Sequence, residues 1–170
     1  MSEFQKRNII NNLLRLGPLL ILFISVLNEI DLNYIKFFSF NFTFILVFYW
    51  SVRRTESLGY GYIFLAGLIN DVVTGFPIGI SSFNYLLICG FAAYLRTITL
   101  SPNLVKDWFF FLFTILVVNS ASYSILNIFF SVDLNYYNLF VNIFFTFIFY
   151  IIFANLFLMY QNKFFKESND

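Results

Sequence analysis

Apolar positions run along this 170-residue chain in long blocks, separated by short polar stretches. Crossing the hydrocarbon core as a helix takes about 20 mostly apolar residues, with a range of roughly 17–25. Six blocks lie near that range: 13–32, 37–52, 58–75, 78–95, 108–130 and 136–160. Arg15 sits near the start of the first, where its stem can lie along apolar surface while the guanidinium reaches water. The stretches 1–12, 97–107 and 161–170 are too short to bury a core of their own. The pattern predicts an all-α integral membrane protein, a single transmembrane domain over residues 1–170 with six transmembrane helices. One segment dissents. Phe38 to Phe44 alternates Phe with Ser, Asn and Thr, a period-two pattern that alone would read as a strand. A membrane barrel needs that alternation in many segments, so it is read here as chance within a Phe-rich helix.

Charge then orients the spans. With the N-terminus cytoplasmic, one side carries Lys6, Arg7, Arg15, Arg53, Arg54, Arg96, Lys106, Lys163 and Lys166, and the other only Lys36. Lys and Arg concentrate in cytoplasmic loops, so both termini are expected inside. Glu29, Asp31 and Asp133 fall on the outer side. The first block follows basic residues as a signal peptide would, but no small-x-small cleavage site follows it; it reads as an ordinary first span.

Composition narrows the chemistry. The chain is 60% hydrophobic and 11% charged, against roughly 25% charged in soluble domains, and its mean hydropathy is +0.79. Histidine is absent and cysteine occurs once, which excludes a His-based triad, a His metal site and a disulfide framework. The formal net charge of +1 offers no basic surface for nucleic acid. Nothing here reads as an enzyme or as a cofactor site. Phe, Ile, Asn and Tyr are so abundant that single ones carry little information; glycine, with seven, carries more.

Six of the seven glycines fall between Gly59 and Gly90. On a helix Gly67, Asp71 and Gly75 step by four and share one stripe, which lets another backbone approach closely. Pro77 stops the third helix, and Gly75 and Gly79 supply unusual dihedrals for a tight outer hairpin. Asp71 is the one acid that this pattern places inside a span, and a carboxylate at mid-membrane costs roughly 2.5–3.5 kcal/mol unless compensated. Three roles remain open for it. It caps the fourth helix, with Ser81, Ser82 or Asn84 at similar depth; it meets a partner helix or ligand; or it relays protons. Asn84, Asn127 and Asn142, at comparable depth, form a possible outer polar pocket or else simple interhelical hydrogen bonds. Cys89 reads as a small buried residue, and Arg53-Arg54 as a topology signal or a cytoplasmic partner contact.

The pattern Gly-Leu-x-x-Asp-x-x-x-Gly-x-Pro-x-Gly, here Gly67, Leu68, Asp71, Gly75, Pro77 and Gly79, resembles that of the bacterial rod shape-determining MreD family. Gly90, Ala93 and Arg96 at the end of the fourth span are also similar to it. In residues the resemblance covers about 59–96; in length and topology it covers the whole chain. It implies a non-enzymatic scaffold of the cell-elongation complex in the bacterial inner membrane. Its implied partners are an MreC-like bitopic membrane protein, the actin-like MreB filament, RodA and the transpeptidase of RodA. It also implies a bundle like the substrate-binding membrane subunits of energy-coupling-factor transporters. The alternative is such a subunit itself, binding a vitamin-like molecule.

Overall fold

The computed structural model describes residues 16–27, 39–53, 58–99, 103–131 and 135–165. Among them it forms six helices of twelve residues or longer and no strand: α1 (Leu16–Leu27), α2 (Phe42–Arg53), α3 (Tyr60–Thr74), α4 (Ile80–Ile98), α5 (Leu104–Phe130) and α6 (Tyr136–Phe165). The alternating segment thus resolves into a non-helical stretch over 39–41 and the start of α2. Asn41 begins that helix, its Oδ1 accepting the Phe44 N–H at 3.1 Å. Lys6, Arg7, Arg15, Glu29, Asp31, Lys36, Arg54, Asp133 and Lys166, which carry much of the charge asymmetry, lie outside the described residues.

The centre of the bundle is α2. Every residue from Thr43 to Ser51 is buried. A helix apolar on all faces is stable only when surrounded, and α2 packs against α4 and α6 along its length. It meets α5 through the Phe48 and Phe111 rings at 5.0 Å, and α1 through the Ser25 and Thr43 hydroxyls at 3.4 Å. Phe42 meets Phe153 and Tyr49 meets Phe157, so α2 and α6 run in the same direction. At about 1.5 Å per residue, the twelve residues of α2 extend about 18 Å, less than the roughly 30 Å of a hydrocarbon core.

Among the described residues two helices are long and apolar enough to cross a membrane: α5 over its whole length and α6 over Tyr136–Asn162. Both turn large apolar side chains outward at helical spacing. Phe109, Phe113 and Leu116 do so on α5, and Phe144, Ile148, Ile152 and Leu156 on α6. Leu20, Ile24 and Leu27 repeat this on α1, and Phe64, Leu65 and Val72 on α3. So much exposed hydrocarbon is far beyond what a monomer in water carries, whereas lipid accommodates it without penalty. The buried set includes Asp71, Ser81, Asn84, Asp107, Thr114, Ser122 and Thr146.

Candidate functional site

The α3–α4 hairpin is locked by one carboxylate. Asp71, on the last full turn of α3 and completely buried, accepts the Gly79 N–H on Oδ2 at 2.7 Å and the Ser81 N–H on Oδ1 at 2.9 Å. A helix begins with four N–H groups that have no partner inside it. For α4, Asp71 takes two of the donors around that start, and the Pro77 carbonyl accepts Ile80 N–H at 3.3 Å. The positive end of the α4 dipole faces the carboxylate, so the bonds and the field act together. Of the three roles open to Asp71, the cap is the one this geometry performs.

Glycines let the hairpin close. Gly75 ends α3 at φ 71° and Gly79 precedes α4 at φ 104°, conformations that L side chains rarely adopt. Pro77 lies between them, where no helical N–H is required. A Cβ on Gly67 would fall inside contact distance of the Ser82 backbone. Ser82 donates to the Phe64 carbonyl at 2.9 Å, and Asn70 Nδ2 donates to Ser81 Oγ at 2.9 Å. The Gly67–Asp71 face is therefore packed against α4 of the same chain, whose backbone makes the close approach that the stripe allows. Leu68 takes part in none of these bonds. Gly61 and Gly90 differ: a Cβ on either would meet open space.

Beside the hairpin lies a cavity of about 250 Å³ with residues of all six helices in its walls. Asn84 and Asn142 both line it. Asn84 accepts a hydrogen bond from Ser122, and Asn142 donates to Ser39 Oγ at 2.7 Å. Thr146 accepts the Asn41 N–H at 2.9 Å just beneath. Asn127 is not brought to this cavity. It is exposed on α5 and lines a separate groove with Ser120, Ser124 and Tyr136. Among the described residues no charged side chain lines the cavity, since Asp71 is turned into the hairpin. The described walls can hydrogen-bond and carry no charge of their own.

A second buried acid was missed by the sequence reading, which left Asp107 in a loop. Asp107 is 2% exposed in the first turn of α5 and accepts from Arg53 Nη2 at 2.7 Å. Arg53 is thus engaged within the chain rather than held free for a partner. The signal was there: Asp107 stands directly before an apolar block, and Arg53 closes another. Cys89 is buried, its Sγ 3.4 Å from Ser51 Oγ.

Compared with known proteins, the chain matches the family model described as rod shape-determining protein MreD over residues 7–167. No curated protein and no solved structure gives a significant match. The model spans nearly the whole chain, its all-helical, apolar build suits a membrane protein of that kind, and the chain belongs to the MreD family of rod shape-determining proteins.

Proposed function

We propose that the chain is a non-enzymatic scaffold of the cell-elongation complex. In this reading it crosses the bacterial inner membrane six times with both termini in the cytoplasm. It joins an MreC-like bitopic protein and, directly or through it, links the actin-like MreB filament to RodA and its transpeptidase. Family membership in rod shape determination supports the role. The observation that carries the scaffold mechanism is the division of the molecule: side chains that hydrogen-bond across helices are turned inward, and apolar rings and branched chains cover the outside. In lipid, helices associate by packing and interhelical hydrogen bonds, so outward faces of this kind are what other membrane chains would meet.

The short α2 is compatible with six spans because its flanks are protein rather than lipid. The hairpin motif of Gly67, Asp71, Gly75, Pro77 and Gly79 then has an internal task, to fix α3 against α4 and set the shape that partners read. The energy-coupling-factor-like bundle belongs to this same proposal. Single cysteines in a Cys89→Ser background, labelled from either side of sealed membranes, test it. Labelling of positions near 163 from the cytoplasm and near 76 from outside is the expected result. The opposite sidedness, or rod-shaped growth after depletion of the chain, contradicts it.

A further inference from the structure

The cavity beside the hairpin has a definite chemistry. Asn70, Asn84 and Asn119 line it with amides, Ser81 and Ser122 with hydroxyls. Some of these groups are spent within the fold, but not all. Asn84 is 8% exposed; its oxygen takes the Ser122 hydroxyl, and its NH2 has no partner among the described residues. Asn119 donates to the Ile115 carbonyl of its own helix at 2.8 Å, and its oxygen is likewise unpartnered among the described residues. The cavity therefore presents an unspent donor and an unspent acceptor, with the rings of Tyr85 and Tyr123 in its walls.

We propose that this cavity binds an uncharged group that both donates and accepts hydrogen bonds, of the size of a single sugar ring or amide head. The unspent donor and acceptor both face the cavity, where a ligand bearing hydroxyls or amides can exchange their water for direct hydrogen bonds. An ionised ligand would lose its hydration and find no opposite charge among the described lining residues, so carboxylates, phosphates and ammonium groups are disfavoured. Size narrows the class further. Pockets for drug-sized molecules run about 300–1,000 Å³, and 250 Å³ falls just below that range. A single ring matches that volume. Nothing in this site depends on which chains meet the outer faces.

The same chemistry can arrive from water as a neutral solute or from the bilayer as the uncharged head of a lipid. The test reconstitutes the chain in phosphatidylcholine nanodiscs and follows thermal unfolding by tryptophan fluorescence. The probes are methyl glucoside in solution, monoglucosyl diacylglycerol in the disc, and the charged counterparts glucuronate and phosphatidylglycerol. A neutral probe raises the midpoint and its charged counterpart does not, since a ligand stabilises the state it binds. Response to the soluble probe identifies a solute site, and response to the lipid alone identifies a head-group site. Asn119→Leu, which removes an open acceptor and only a local bond, keeps the unliganded midpoint. It weakens probe binding about ten-fold, the consequence of one hydrogen bond left unmade. Asn84→Leu weakens it similarly. Equal shifts from charged and neutral probes, a shift that survives both variants, or no shift from either neutral probe overturns the proposal.

Discussion

Arg53, the last residue of α2, donates to Asp107 in the first turn of α5 at 2.7 Å, with the carboxylate almost wholly buried. The pair ties the central helix to one of the two long outer helices. Removing one partner of a buried pair leaves an uncompensated charge, which costs about 3–5 kcal/mol, whereas replacing both by apolar groups is often neutral. Asp107→Ala should therefore lower the thermal midpoint of the purified chain sharply. Arg53→Met with Asp107→Leu should recover most of the loss. A single variant as stable as wild type would show that the pair carries no such weight.

Asp71→Ala leaves the Gly79 and Ser81 N–H groups facing an apolar gap. Losing bonds to a charged acceptor costs about 1.5–3 kcal/mol each in comparable cases. The expected result is a lower midpoint together with faster amide exchange at residues 79–82, while amides in the middle of α5 keep their protection. Uniform exchange throughout the chain would assign Asp71 no special hold on the hairpin.

Gly67 and Gly90 make a matched pair. Gly67→Ala drives a methyl into the Ser82 backbone and should cost about 1–3 kcal/mol, the usual penalty of overpacking. Gly90→Ala places the same methyl in open space and should be neutral or slightly stabilising, as alanine favours helix by about 1 kcal/mol. Thermal unfolding in detergent ranks the two, and a reversed order would contradict the packing described.

Tyr150 is completely buried, and its hydroxyl has no hydrogen-bond partner among the described residues. Its ring stacks on Phe111 at 4.5 Å and meets Phe48 at 5.7 Å. Tyr150→Phe keeps both ring contacts and removes an unmet polar group, so the midpoint should hold or rise. A clear loss of stability would reveal a partner for the hydroxyl.

Much of this was legible in the residues. Long apolar blocks announced an all-helical chain, and the acid four positions before Gly-x-Pro-x-Gly carried the family resemblance. Other features were hidden for physical reasons. Hydropathy does not separate a helix facing lipid from one surrounded by protein, so the central place of α2 was invisible. The partners Asn84–Ser122 and Asn41–Thr146 join residues far apart in the chain, and no local periodicity encodes them. Asn84, Asn127 and Asn142 looked alike in predicted depth, but depth does not say which way a side chain turns, and Asn127 points to a different groove. The Asp107–Arg53 pair sits at the edges of two apolar blocks, where a charge is ordinarily read as a loop residue.

The central claim, that the chain acts by holding other membrane proteins together, is tested most directly by recovering it from gently solubilised membranes with an affinity tag. The bitopic MreC-like protein should be recovered with it in fixed proportion, and recovery should fall for Gly67→Leu, which forces α3 away from α4, while Gly90→Ala leaves it unchanged. Full recovery of the tagged chain with no such partner, in cells that grow as normal rods, would contradict the claim.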